Sequence, residues 1–297
     1  MKLMDTCRLC QQQAELQLSH ILPAFAFRWL KESAGNGHIR LGMEPNQRVQ
    51  DGLKRYWLCS SCENRLSRSE TAFATNIFHP YLEMSGEQLS YSHWLIHFCT
   101  SLSWRVLRFY LDENHLENWG EEKLAHVVKA ECIWRELLLD LRPHPEIFQQ
   151  HLLPLDRIES STGKFVPNIN RYLMRAIDMD ICRGENLIFT YAKLGRFIVL
   201  GFVHEPNPNR WKGTKVNANK GFVGPKKYVL PRPFGEYLNE KAQRITESLE
   251  SVSDKQQAKI DEAFRKNVDR YINSDAFHAM RADISMFGDE AFSKNRK

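Results

Sequence analysis

The sequence has no apolar run approaching the ~20 residues that a helix needs to cross a bilayer. Its start, Met1-Lys2-Leu3-Met4-Asp5, lacks the continuous hydrophobic stretch of a signal peptide. Its seven cysteines are an odd number, which fits poorly with a secreted disulfide framework. These absences make the reducing cytosol (a cytoplasmic protein with no membrane partner) the expected compartment. No Gly-rich phosphate loop is present, because Gly213, Gly221 and Gly224 do not precede a helix in any known spacing. No Gly-x-Ser-x-Gly elbow occurs either, so P-loop and serine-hydrolase chemistry have no foothold. Internal repeats and low-complexity tracts are also missing.

What is present is a chain of 297 residues, 42% hydrophobic, long enough for one large or two modest domains with a buried core. The net charge of +5 conceals an uneven distribution. Residues 166–235 carry 12 basic and 4 acidic side chains, whereas residues 81–165 carry 8 and 13. A basic band of +8 therefore sits in the middle of a nearly neutral sequence.

The hydrophobic pattern predicts an α+β chain. Short strands are expected at 14–22 and 54–59. Trp94, Leu95, Phe98, Leu102, Val106 and Phe109 recur at helical spacing and place an amphipathic helix over 89–111. A second helix is expected over 121–140. Residues 172–182 alternate, with Ile177, Met179 and Ile181 on one face and Asp178 and Asp180 on the other. With 187–192 and 196–204 they make an antiparallel meander. From 236 onward the helical period returns. Ser253 with Gln256 resembles a capping box, and Ser274 caps a last helix that ends near Gly288.

The most informative residues are two pairs, Cys7-Arg8-Leu9-Cys10 and Cys59-Ser60-Ser61-Cys62. A two-residue gap turns both thiolates of a knuckle onto one ion, and four thiolates complete a tetrahedral Zn²⁺ shell. In a reducing compartment a structural zinc is favoured over a pair of disulfides. Cys99, Cys132 and Cys182 are scattered in apolar surroundings and read as small hydrophobes.

Between the knuckles lies Leu18-Ser19-His20-Ile21-Leu22-Pro23, and after them Glu63-Asn64-Arg65-Leu66-Ser67-Arg68-Ser69-Glu70 opens a polar helix. This order of parts resembles the HNH endonucleases of the ββα-metal type, in the branch braced by a four-cysteine, treble-clef zinc. The resemblance covers residues 1–80, mainly the first ~75, and leaves an α+β body over 81–297. It implies that His20, at a strand end, is the general base that deprotonates water. It also implies that Glu63 or Asn64, with Glu70 two turns on, holds a catalytic Mg²⁺ or Mn²⁺. Ser19, Glu63 and Ser67 stand where the family has its usual ligands, and the His20–Cys59 stretch is longer, with an extra helix at 24–31 and a Gly35-Asn36-Gly37 loop. Stand-alone proteins with such modules often belong to restriction or phage defence.

Arg65 and Arg68 are further candidates for holding phosphates. Between Asn207 and Pro233 the chain has seven basic residues and no acidic one, with Trp211, Phe222 and Tyr228 interleaved. Arg210, Trp211, Lys212, Lys215, Lys226 and Lys227 are thus expected to neutralise phosphates and stack on bases. His93 and His97 lie one turn apart, but Trp94 replaces the Glu of a metalloprotease helix, so core-flanking histidines are expected there. The leading expectation is a metal-dependent endonuclease acting on DNA, with RNA as second choice. The alternative is a non-catalytic zinc-finger module that binds nucleic acid or protein. A protein partner and the oligomeric state are left open.

Overall fold

The computed structural model describes residues 3–34, 39–40, 46–49, 51–83, 86–160 and 163–291. The expected Gly35-Asn36-Gly37 loop lies outside them. The chain is a mixture of helices and antiparallel sheets, as the hydrophobic pattern predicts. Among the described residues no helix is long and apolar enough to cross a membrane.

The N-terminal part opens with β1 (Leu3–Thr6) and β2 (Gln13–His20), followed by α1 (Ala24–Glu32). Two minimal strands, β3 (Ile39–Arg40) and β4 (Arg48–Val49), pair with each other. Then come β5 (Lys54–Cys59) and α2 (Ser60–Phe73). The sheet order is β1-β2-β5, antiparallel throughout, with Leu16 opposite Cys59 and His20 opposite Lys54. The expected strands and α1 therefore form within a residue or two of their sequence positions. Helix α2 buries Cys62, Leu66, Ser69 and Phe73, a stripe at helical spacing. It continues through a π-turn at Ala74–Phe78 into α3 (His79–Glu83).

Next come β6 (Leu89–Ser92), α4 (Trp94–Asp112) and α5 (Glu121–Leu138). The helix expected over 89–111 thus starts later, because residues 89–92 pair with β11 (Lys220–Val223). That partner lies some 130 residues away, beyond any local signal. Glu121 and Glu122 occupy the first turn of α5, where acids favour the helix dipole.

The larger sheet has the order β7-β10-β9-β8, from β7 (Gln150–Pro154), β8 (Ile177–Arg183), β9 (Ile188–Leu194) and β10 (Phe197–His204). Every residue of β7 and β9 is buried, since helices cover both faces. Successive residues of β10 serve different cores. Phe197 and Val199 join α4 on one face, while Ile198, Leu200 and Phe202 join Phe234, Leu238 and Ala242 on the other. Gly201 permits the close approach of α4, since a Cβ there would sit 2.5 Å from the Ser103 hydroxyl.

Residues 172–182, expected as one strand, are instead the end of α6 (Ile169–Arg175) followed by β8. The carboxylate of Asp283 accepts from the N–H groups of Asn170 (2.8 Å) and Arg171 (3.1 Å) and so caps α6 from a distant helix. The C-terminal part is helical: α7 (Arg232–Glu250), α8 (Asp254–Lys266), α9 (Val268–Ile272) and α10 (Asp275–Phe287). Ser253 and Ser274 cap α8 and α10 by accepting from Gln256 N–H and Phe277 N–H. Ser253 N–H itself donates to Asn46 Oδ1 (2.8 Å), which ties the start of α8 to the N-terminal part.

Core residues from the two sides of residue 80 pack together. Phe25, Phe73 and Phe78 share one cluster with Phe98, Leu102 and Phe197. The Phe73 and Phe98 rings stack at 4.0 Å. Each such fully buried aromatic contributes about 1.5–3 kcal/mol. The cysteine end of α2 packs on Trp104, Leu107 and Trp134 of α4 and α5.

Candidate metal centre and the histidine beside it

The first knuckle is the β1–β2 turn. Gln11 N–H donates to Cys7 O (2.8 Å), Cys7 N–H donates to Gln12 O (2.9 Å), and Gln11 takes the left-handed φ of 61° that closes the loop. The second knuckle is the junction of β5 and α2, with Cys59 at the N-cap and Cys62 in the first turn. Pairing β2 with β5 brings the knuckles together. The ligand atoms of Cys7, Cys10, Cys59 and Cys62 all lie within 4.8 Å of one another.

The Cys10 and Cys59 sulfurs are 3.9 Å apart. A tetrahedral zinc with ~2.3 Å bonds has sulfur–sulfur edges of about 3.8 Å, so the donor set fits that ion. Cys7 and Cys62 are buried and the other two are half-buried. A hydrogen bond between the Cys62 and Cys7 side chains pulls the Cys7 thiol down to about 4 and pushes that of Cys62 up. One thiolate is thus stabilised at the expense of its neighbours. Four adjacent thiolates would need a cation among them, and the quartet could hold a divalent ion such as zinc.

His20 ends the central strand β2, at the opposite end of the β2–β5 ladder from the cysteines. Its Nε2 lies 2.8 Å from Oδ2 of Asp51, just upstream of β5. Asp51 also meets Lys54 Nζ at 2.9 Å and accepts from Gly52 N–H at 2.9 Å. Burial works to raise this carboxyl, but the hydrogen bonds from Lys54, His20 and Gly52 outweigh it and hold it at about 2. An ionised carboxylate only accepts, so His20 Nε2 is the donor of this pair. Behind the histidine, Arg105 of α4, only 2% exposed, donates to His20 O (2.9 Å) and pairs with Glu70. The fully buried Ser19 donates to Glu63 Oε2 at 2.6 Å.

The structure therefore brings His20, Ser19, Glu63 and Glu70 to one side of α2, but each carboxylate there already has a partner. Asn64 is exposed at the start of the helix. Among the described residues, the cysteine quartet is the one group of three or more His, Cys, Asp or Glu side chains whose ligand atoms converge. The residues carried over for Mg²⁺ or Mn²⁺ do not form such an oxygen set. Asp51 and Arg105 escaped the sequence reading. A signal existed for Arg105, a charged residue within the core stripe of α4, whereas Asp51 reaches His20 from the bend before β5, which no local pattern marks.

Arg65 and Arg68 lie away from His20, on the other side of α2, where Arg65 pairs with Asp140. In the basic band Lys212, Lys215, Lys220, Lys226, Lys227 and Arg232 are exposed. Arg210 pairs with Glu205 (2.8 Å), a residue whose side chain is 1% exposed. The expectation that Trp211 stacks on a base is corrected. Trp211 is 2% exposed, packs in the core with Phe202 and Phe234, and donates to Glu205 Oε2 at 2.6 Å. Its size and burial stabilise the loop that carries the lysines. The outward aromatic is Phe222, 41% exposed, with Lys226 Nζ 5.3 Å from its ring centre. Asp178 and Asp180 share a strand face, as expected, but that face is covered, and Lys241 Nζ bridges them at 3.3 and 2.7 Å.

No family model, no curated protein and no solved structure matches the chain.

Proposed function

We propose that the chain is a zinc-braced ββα, HNH-like hydrolase that cleaves phosphodiester bonds in DNA, with RNA as the second substrate class. The observation that carries this reading is the His20–Asp51 pair, 2.8 Å apart, at the end of β2 opposite the cysteine cluster. Cys7, Cys10, Cys59 and Cys62 would hold zinc and fix β2, β5 and the start of α2 as one unit in the treble-clef manner. Asp51 orients the imidazole and stabilises the imidazolium that forms when Nδ1 takes a proton from water. Arg105 fixes the backbone at His20, and Glu70 balances the charge of Arg105. Glu63 steadies Ser19. Within this reading both carboxylates brace the base rather than hold a metal. The exposed lysines of the basic band neutralise backbone phosphates, and Phe222, not Trp211, offers a ring to a base.

A second reading, a non-catalytic zinc module that binds nucleic acid or protein, is favoured by the same two contacts, since Glu63 and Glu70 are both engaged. Supercoiled plasmid and single-stranded RNA, each with added Mg²⁺ or Mn²⁺, separate the two. The hydrolase reading expects cleavage that drops about 100-fold or more in His20→Ala and about tenfold in Asp51→Asn. Folded, zinc-loaded protein that cleaves neither substrate leaves the binding module. Cleavage unchanged in His20→Ala places the chemistry elsewhere.

A further inference from the structure

The far side of α2 takes no part in that reading, yet it lines a cleft of about 500 Å³. At roughly 100° per residue, Arg65 and Arg68 project away from Glu63 and Glu70. Facing them across the cleft are His93 at the N-cap of α4 and His97 in its first turn, with Trp94 between them and Ser61 at the α2 end. Asp140, just past α5, is the only carboxylate in the lining. It pairs with Arg65 and stands 3.7 Å from His97 Nε2. Arg68 has no ion-pair partner among the described residues. Two guanidinium groups, two imidazoles and the hydroxyls of Ser61 and Ser69 thus line one space between two helices, against a single negative charge.

We propose that this cleft binds the phosphate group of a phosphomonoester. The donors outnumber what a diester can use, because a diester offers two non-bridging oxygens and one charge. A monoester offers three oxygens and close to two charges. Planar guanidinium forks match those oxygens, and the cleft volume suits a small organic phosphate. Asp140 has a defined part in this arrangement. It holds Arg65 in position while the cleft is free of anion, and the arriving phosphate competes with it for that guanidinium.

This inference does not depend on the hydrolase reading, since the cleft and His20 lie on different sides of α2. The test is titration of the full chain with inorganic phosphate and with adenosine monophosphate, followed by calorimetry and by tryptophan fluorescence. Saturable binding is expected, weakened about tenfold or more by Arg68→Ala. Arg68 is exposed, so that variant folds. Asp140→Asn is expected to tighten binding several-fold by removing the competitor, and His20→Ala to leave it unchanged. Displacement by an oligonucleotide with a phosphorylated end, but not by the same strand ending in a hydroxyl, identifies a nucleic-acid terminus as the source. Displacement by neither identifies a small phosphate ester. Absence of saturable binding, indifference to Arg68→Ala, or weaker binding in Asp140→Asn overturns the proposal.

Discussion

The cysteine quartet and the histidine–carboxylate group are built on the same three elements, β2, β5 and α2, and they treat charge in opposite ways. The four sulfurs face each other and otherwise meet N–H and hydroxyl groups of their own knuckles: Cys7 accepts from Cys59 N–H at 3.4 Å, and Cys59 meets Ser61 at 3.5 Å. The carboxylates a few residues away are each met by the chain itself, Asp51 by His20 and Lys54, Glu63 by Ser19, and Glu70 by Arg105. The difference separates a cluster that calls for a metal from one that does not. Four converging thiol groups that meet only one another and neutral donors suit an ion, whereas the acids have each been given a cation or a buried hydroxyl as partner.

Three perturbations sharpen this contrast, beginning with the largest. Chelation of zinc, or Cys62→Ser, is expected to unfold the N-terminal sheet, because structural zinc sites contribute on the order of 10 kcal/mol. Metal analysis showing one zinc per chain, with a melting temperature that collapses on chelation, would bear this out. A chain that melts identically with and without chelator would place the sulfurs outside any metal site.

Breaking the chain-satisfied group costs less. Glu70→Ala leaves the guanidinium of Arg105 buried and unpaired, a loss of about 3–5 kcal/mol. Glu63→Ala leaves only the Ser19 hydroxyl without its acceptor, about 1–3 kcal/mol. Urea unfolding of the two variants should rank them in that order. The reverse order would mean that Arg105 finds another partner.

The smallest effect is a pH dependence. The Asp51 carboxyl is held at about 2, below its unfolded value of roughly 3.9. A depressed carboxyl contributes stability above the unfolded value and loses it as pH falls through the folded one. The contribution of Asp51 should therefore fade between about pH 4 and pH 2. Its side chain is 34% exposed, so solvent screening keeps the effect small. Comparing wild type with Asp51→Asn across that window should show the stability gap closing toward acid, and a constant gap would remove His20 and Lys54 as its cause.

Much of the local structure was legible because it rests on short-range patterns. The strands around His20 and Cys59, the amphipathic stripe from Trp94 to Phe109, and the serine caps at 253 and 274 all announce themselves within a few residues. What the pattern misassigned shares one cause. Residues 89–92 become a strand through pairing with 220–223, and residues 169–175 become a helix through a cap from Asp283. The basic band was visible as charge, but its tryptophan was not visible as core. Burial of Trp211 depends on Phe202 and Phe234 arriving from two other elements.

The spacing of the four cysteines, by itself, fixed the candidate metal ligands, since two tight knuckles leave little choice about which sulfurs can share an ion. It also placed His20 at a strand end within reach of a helix. Only the tertiary structure decided what that histidine meets. The Asp51 contact comes from strand pairing, the Arg105 contact comes from a helix 85 residues away, and the separation of Arg65 and Arg68 from His20 comes from how α2 is turned. Covalent spacing sets which groups can be near each other, but partner choice follows the packing of whole elements, where burial forces every charge to find an answer.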